Sequence, residues 1–267
     1  MSGAARIAIL GASGRMGLSL LAALEADPRV ELVGAFAPPG SRALGQDAGE
    51  LARLGRRLGV EVSADRARVL ERAEVALDFT LPEATGANLE ACLARRCALI
   101  VGTTGLTVES RAALERAAAS IAVLIAPNTS LGVAVLARLV AQAAAALPED
   151  YDIEVLEAHH RHKRDAPSGT ARLLGEAAAR ARHRPAPEPA LERPGARAPG
   201  TIGYASLRGG DVAGDHTVLF LGPGERLELT HRAHDRRTFA AGALAAAAWL
   251  RGRAAGCYAM GDVLGAR

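Results

Sequence analysis

The chain has 267 residues, 49% of them hydrophobic and 23% charged, with a formal charge of +3. That balance excludes a disordered, collagenous or coiled-coil chain and gives enough length to bury the core of one or two domains. The slight positive charge favours anionic small molecules and does not by itself demand nucleic acid. Cys92, Cys97 and Cys257 form no C-x-x-C pair, so reduced thiols and a cytoplasmic setting are expected. No basic leader precedes the first apolar run, and AAGALAAAAWL near the end is too short to span a bilayer, so no membrane partner is expected.

Arg6–Leu10, RIAIL, is a short continuous apolar run of the kind found in buried parallel strands. It opens directly into GASGRMG, and the helical pattern LSLLAALEA comes next. Gly11, Gly14 and Gly17 form a G-x-x-G-x-x-G variant of the dinucleotide fingerprint. Gly11 lets the chain turn, Gly14 lets backbone approach a pyrophosphate, and Gly17 allows helix to pack closely on strand. Arg15 adds positive charge at the phosphate site. A second strand, Val30–Phe36, leads into Ala37-Pro38-Pro39-Gly40-Ser41-Arg42. In this fold the residue ending the second strand holds the adenosine ribose, with an acid for a free 2′-hydroxyl or an arginine for a 2′-phosphate. Ala37 does neither. Arg42 is the candidate substitute, and the choice between NADH and NADPH stays open.

Three more apolar runs, Glu74–Thr80, Cys97–Gly105 and Ile121–Val133, read as strands that deliver small polar residues at their C-terminal ends. Ligands of doubly wound sheets bind there. Helical patterns over Glu83–Arg95 and Val108–Ala119 supply the crossovers. Thr80, Thr103 and Asn128 serve either turn chemistry or the lining of a nicotinamide, and their repetition at equivalent strand ends favours the second.

A helix over Ala134–Ala146 leads to DIEVLEAHH, read as a half-buried strand in which Ile153, Val155 and Ala158 alternate with acids. Arg182–Gly200 is a Pro-rich surface excursion. TIGYASLRGG, HTVLFLGPG and ERLELTHRA read as successive antiparallel strands. A final helix, Thr238–Arg251, folds back on the first domain. The expected architecture is α/β: a Rossmann-type doubly wound parallel sheet (1–129 plus 239–267) and a second α+β domain of mixed sheet (130–238) for substrate and oligomerisation.

Glu157–Thr170, EAHHRHKRDAPSGT, gathers three histidines, Lys163 and two arginines ahead of a helical pattern. Imidazoles and a lysine transfer protons near neutral pH, and Ser168-Gly169-Thr170 at a helix start offers N–H groups and a positive dipole end to an anion. Taken alone the run fits catalysis or a polar surface loop equally. No aromatic residue is interleaved to stack bases, which disfavours nucleic acid. His160 and His162 would share one face of a continuing strand, but with only Asp165 nearby no metal is expected.

GASGRMG, DFTLPE, VGTTG, APNTSLGV, EAHHRHKRDAPSGTA, GTIGYASLRGGDVAGDHTVLF and ERLELTHRAHDRRTFAAGAL together resemble the 4-hydroxy-tetrahydrodipicolinate reductase family over nearly the whole chain. The histidine motif is specific to that family; the glycine loop is not. The resemblance implies an NAD(P)H-dependent enzyme of diaminopimelate and lysine biosynthesis that reduces a small dicarboxylate with loss of water, and a homotetramer. It makes His159 a proton donor and acceptor, Lys163 a proton donor, and His160 a substrate contact, with a substrate carboxylate at Gly169 and Thr170 and the adjoining Ser168. It places the cofactor along Gly11, Ala12, Ser13, Gly14, Arg15 and Met16, along Gly102, Thr103 and Thr104, and along Ala126, Pro127, Asn128 and Thr129. Two departures stand out. Ala37-Pro38 replaces an acid commonly followed by arginine, which implies weaker discrimination between the two dinucleotides. Thr129 replaces a bulkier apolar residue. The competing readings are another dehydrogenase sharing the first domain, such as one acting on a semialdehyde, and a nucleotide-binding paralogue without turnover.

Overall fold

The computed structural model describes residues 3–188, 190 and 193–265. Backbone contacts divide the chain into two compact units, Met1–Ser130 with Arg236–Arg267, and Leu131–Asp235.

Unit 1 begins with β1 (Ala5–Leu10), α1 (Arg15–Ala23), β2 (Val30–Phe36), the single turn α2 (Ala48–Leu51), the short β3 (Val62–Ser63) and α3 (Arg66–Val69). It continues through β4 (Val75–Asp78), α4 (Pro82–Arg95), β5 (Ala98–Val101), α5 (Val108–Ala117) and β6 (Ala122–Ile125). Unit 2 holds α6 (Leu131–Ala146), β7 (Asp152–His159), α7 (Gly169–Ala181), β8 (Ile202–Arg208), β9 (Gly214–Gly222) and β10 (Glu225–Ala233). The chain then returns to unit 1 with α8 (Arg237–Leu250), β11 (Gly256–Tyr258) and α9 (Met260–Val263).

The sheet of unit 1 has the order β11-β6-β5-β4-β1-β2-β3, every pair parallel. Its central strands β5 and β6 are unbroken apolar runs, and β1 and β4 nearly so, because both faces are covered. Ala8, Leu10, Leu99, Val101 and Val123 lie in one core cluster with Leu89 and Cys92 of α4 and Leu114 of α5. Cys92 and Cys97 are both buried in that cluster. On α8, the buried Ala240, Ala243, Ala246 and Ala247 let the helix approach α1 and the sheet closely. The order reverses between β4 and β1, and a reversal of this kind opens the crevice where doubly wound sheets bind ligands. β3 and β11 extend the sheet beyond the five strands read from the sequence.

The sheet of unit 2 has the order β10-β9-β7-β8. Here one expectation is corrected. The run over Ile202–Arg208 does not pair antiparallel with the next strand in the chain. It pairs parallel with β7, while β9 pairs antiparallel with β7 and with β10. The physical reason is the connection. α7 and the Pro-rich excursion form a crossover long enough to bring β8 back in the direction of β7, which a hairpin cannot do. No regular element is assigned within that excursion among its described residues, and Pro189, Leu191 and Glu192 lie outside them.

β7 also buries a different set from the one expected. Its inward face carries Ile153, Val155, Glu157 and His159, whereas Ala158 points the other way, as period two from Ile153 requires. The strand ends at His159, so His160 and His162 do not sit on one face of a continuing strand. Ile153 and Val155 pack with Tyr204, Val218 and Phe220 and with Leu174 and Ala178 of α7. The same face then turns polar as it reaches the C-terminal end of β7.

Gly34 in β2 has no room for a side chain, since a Cβ there would collide with the Val69 carbonyl oxygen. Gly34→Ala is expected to destabilise unit 1 by about 1–3 kcal/mol, as overpacked sites do, read as a lowered thermal unfolding temperature.

Candidate active site

In unit 1 the glycine loop connects β1 to α1. The N–H groups of Gly11 and Ala12 donate to the Phe36 carbonyl oxygen at 3.1 and 2.8 Å, which ties the loop to the end of β2. Gly11 has φ +91°, favourable only for glycine. A Cβ on Gly17 would collide with the Gly11 carbonyl oxygen, so glycine is required for α1 to lie this close. Gly14 caps α1 with no side-chain hydrogen bond, and the first turn holds no acid. Ser13, Gly14, Arg15 and Met16 therefore present a helix start whose positive end suits a phosphate.

At the neighbouring strand ends the threonines are turned onto a buried acid. Asp78 is fully buried, and its Oδ1 accepts from the Thr80 N–H at 3.0 Å and from Thr80 Oγ1 at 2.6 Å. Thr103 Oγ1 reaches the Thr80 carbonyl oxygen at 3.2 Å. Asn88 Nδ2 donates to Thr80 Oγ1 at 3.0 Å, and Asn88 Oδ1 accepts from Arg66 Nε at 2.7 Å. Asp78 Oδ2 is buried and unpartnered among the described residues. Gly102 lies so close to the Phe79 ring that a Cβ would overlap it, while Thr104 is exposed. Asn128 Oδ1 accepts from the Ser130 N–H at 2.8 Å, and the Ala126 N–H donates to the Val101 carbonyl oxygen at 2.9 Å. Pro127 between them is exposed. Thr129 is buried and donates to the Phe239 carbonyl oxygen at 2.7 Å, a bond that the bulkier apolar residue of the resemblance has no group to make.

The end of β2 lacks an acid. Ala37 is fully buried and Arg42 is exposed. Sequence reasoning missed Arg66, whose guanidinium stacks 4.3 Å over the Phe36 ring.

In unit 2 the polar end of β7 is a row across the sheet. Register places Glu157 opposite His216 on one side and Ser206 on the other, with His159 opposite Arg208. The Glu157 side chain has no exposed surface. Its Oε1 accepts from Arg208 Nη2 at 2.7 Å, Ser206 Oγ at 2.7 Å and the Ser168 N–H at 3.2 Å. Its Oε2 accepts from Arg208 Nη1 at 2.8 Å and lies 2.5 Å from His159 Nδ1. Burial opposes charge on Glu157, but the hydrogen bonds from His159, Arg208 and Ser206 outweigh it and hold the carboxyl far below the usual range. His216 stands edge-on to His159 at 5.1 Å, and its Nε2 lies 3.1 Å from Ser168 Oγ. Burial pushes His216 down to about 3, and the neighbouring His159 adds to the effect, so His216 is neutral at working pH. Glu157, Ser206, Arg208 and His216 were not among the residues expected from the sequence.

Ser168 caps α7 by accepting from the Ala171 N–H at 3.2 Å. Gly169 and Thr170 form the first turn of that helix, and open space lies where a Cβ on Gly169 would point. His160 follows the strand end, its N–H on the Val212 carbonyl oxygen at 2.8 Å. Lys163 Nζ pairs with Asp165 Oδ1 at 2.9 Å. Burial raises Asp165, and the bond to Lys163 more than offsets this and lowers it. Lys163 is the only lysine; the other 31 of the 32 Lys and Arg residues are arginine. That signal was present in the sequence. A guanidinium keeps its proton above pH 12, whereas an ammonium can give one up, so Lys163 is chemically distinct from the 31 arginines.

Comparison with known proteins supports the same grouping. The model "Dihydrodipicolinate reductase, N-terminus" matches residues 5–129 and "Dihydrodipicolinate reductase, C-terminus" matches residues 132–264. The chain belongs to the dihydrodipicolinate reductase family. It is 51% identical over 264 residues to the 4-hydroxy-tetrahydrodipicolinate reductases of Alkalilimnicola ehrlichii and Thiobacillus denitrificans, covering 97% of this chain and 98% of each relative. The solved dipicolinate-bound dihydrodipicolinate reductase of Paenisporosarcina sp. TG-14 superposes with a TM-score of 0.76 at 26% identity, over 96% of this chain and 97% of that one. An amine dehydrogenase of Mycobacterium smegmatis shares the fold with a TM-score of 0.62 at 18% identity, over 98% and 96% of the two chains. This family member is thus an NAD(P)H-dependent oxidoreductase of lysine biosynthesis with a nicotinamide dinucleotide cofactor and a small substrate. Among the described residues no helix is long and apolar enough to cross a membrane.

Unfolding this family member in acid has a defined sign. His216 is neutral in the fold down to about pH 3 and protonates near 6.5 when unfolded, and His231 is also lowered, mainly by burial. The unfolded chain therefore binds more protons between pH 6.5 and 4.5, before Glu157 begins to contribute. Stability is expected to fall in that window by up to about 1.4 kcal/mol per pH unit for His216. His216→Gln should flatten the pH dependence of the unfolding midpoint there.

Proposed function

We propose that the chain reduces 4-hydroxy-tetrahydrodipicolinate to tetrahydrodipicolinate with loss of water, unit 1 holding the dinucleotide and unit 2 the dicarboxylate. The observation that carries this reading is the end of β7, where His159 on the buried Glu157 carboxylate adjoins the loop bearing Lys163 and the start of α7.

The dinucleotide fits the first unit: α1 starts without a side-chain cap, and Gly17 leaves room for the tight loop beneath it. Gly11, Ala12, Ser13, Gly14, Arg15 and Met16 hold its phosphates, and Gly102, Thr103, Thr104, Ala126, Pro127, Asn128 and Thr129 line it further along. When bound, the nicotinamide supplies the hydride. In unit 2, Ser168, Gly169 and Thr170 orient a substrate carboxylate at the positive end of α7. Lys163 attracts the same dianion and donates a proton, while His159 exchanges a proton with the substrate as water departs. His160 completes the contact with substrate. No acid at the end of β2 repels a 2′-phosphate, and the nearby cations are Arg42 and Arg66. NADPH and NADH are accordingly both used.

The sheet of unit 2 carries Leu156 and Leu207, 36% and 65% exposed, on the face opposite its core. We place homotetramer assembly through this sheet, in a cytoplasmic enzyme. Light scattering is expected to give the mass of four chains, and a monomer at micromolar concentration would refute the assembly.

The deciding assay follows nicotinamide oxidation with substrate generated in place from pyruvate and aspartate semialdehyde by the preceding synthase. Turnover should depend on the synthase, and NADH and NADPH efficiencies should differ by no more than about ten- to a hundredfold, the worth of one charged hydrogen bond. Lys163→Ala and Lys163→Arg should each lose roughly 10²- to 10⁴-fold in kcat while still binding dinucleotide. A strong NADH preference unchanged in Arg42→Ala would remove any phosphate role for Arg42. Cofactor binding without turnover would favour a paralogue that has lost catalysis.

A further inference from the structure

Which nitrogen of a neutral imidazole carries the hydrogen is set by the partner of the other one. Among the described residues the hydrogen-bond partner of His159 Nδ1 is Glu157 Oε2, at 2.5 Å. Every other group on Glu157 is a donor: Arg208 to both oxygens, and Ser206 Oγ and the Ser168 N–H to Oε1. An ionised carboxylate accepts only, so the hydrogen shared with His159 belongs to Nδ1. In the neutral ring Nε2 then carries the lone pair. Gly214 lies beside that atom, and a Cβ there would stand 3.1 Å from Nε2, so glycine leaves the nitrogen uncrowded.

The charged and titratable groups around His159 are Glu157 on its own strand, Arg208 on β8, His216 on β9, and Lys163 and Asp165 in the following loop. His216 does not compete for the carboxylate, because its Nε2 is engaged with Ser168 Oγ. Arg208 is committed to Glu157 and to the Asp165 carbonyl oxygen, at 2.7 Å.

We propose that Glu157 is the positioning residue of this site: it fixes His159 with its hydrogen on Nδ1 and leaves Nε2 to exchange a proton with the substrate, while Arg208 keeps Glu157 ionised and oriented. The inference rests on the acid–base role assigned to His159 above. It also makes a directional statement about an amide at this position. Oε1 receives three donors and Oε2 two. A glutamine would therefore turn its oxygen to the Oε1 position and its NH₂ toward His159, which favours the opposite tautomer.

The test uses the full chain, ¹⁵N-labelled, with His159 assigned through its missing signals in His159→Gln. Long-range ¹⁵N–¹H spectra of the unsubstituted protein should show neutral His159 protonated at Nδ1; protonation at Nε2 would overturn the proposal. In Glu157→Gln the Nε2–H form should appear, and kcat should fall roughly 10²-fold, with KM and dinucleotide affinity within about threefold. A kcat loss smaller than about tenfold, or an unchanged tautomer, would refute it. If Glu157→Gln fails to fold, the spectrum of the unsubstituted protein decides alone. Full activity in His159→Gln would instead sink the acid–base role itself, and loss there beside an active Glu157→Gln would sink only the role of Glu157.

Discussion

A carboxylate with no exposed surface must be matched by a cation, and in unit 2 the match is Glu157 with Arg208, at 2.7 Å. That pair joins β7 to β8 in parallel register and reaches two further elements through its spare hydrogen bonds. The Ser168 N–H on Glu157 pins the start of α7, and Ser168 Oγ then serves both the helix cap and His216. The orientation of the His159 ring, the position of the helix start and the burial of His216 all depend on this one charge being satisfied. The apolar core of Ile153 and Val155 supplies the rigid floor from which the row projects.

Unit 1 works on a different principle. The phosphate contact proposed for its glycine loop rests on backbone geometry, where the requirement is the absence of a Cβ at Gly11 and Gly17. Such recognition survives wide changes in composition, because no side chain carries it. A ribose contact depends on side-chain chemistry instead, and at the end of β2 Ala37-Pro38 offers no acid. The buried Asp78 links the two regimes, gathering Thr80 and, through it, Asn88 and Arg66 at the strand ends.

The main strands of unit 1 could be read from the sequence because each is a mainly apolar run, and β1, β4, β5 and β6 lead within a few residues to glycine or a small polar residue. β3 and β11 are two and three residues long and carry no periodicity to detect. The parallel pairing of β8 was hidden because direction is set by the crossover through α7 and the Pro-rich segment, not by the strand's own residues. Glu157 was hidden by a miscounted face. Period two from Ile153 leads through Val155 to Glu157 and His159, whereas counting Ala158 as inward breaks the alternation and leaves the acid in solvent. The hydrogen bonds of Thr103 and Thr129 required the fold, since their partners are distant in sequence.

The single lysine has a chemical corollary. With 31 arginines and one Lys163, the chain carries one ε-amine, and its side chain is 21% exposed beside Asp165. An acylating reagent selective for amines over guanidinium groups has one side-chain target here, apart from the chain terminus. The unaltered protein can thus be labelled at its candidate catalytic loop, and the labelling rate reports how that amine is shielded as ligands come and go.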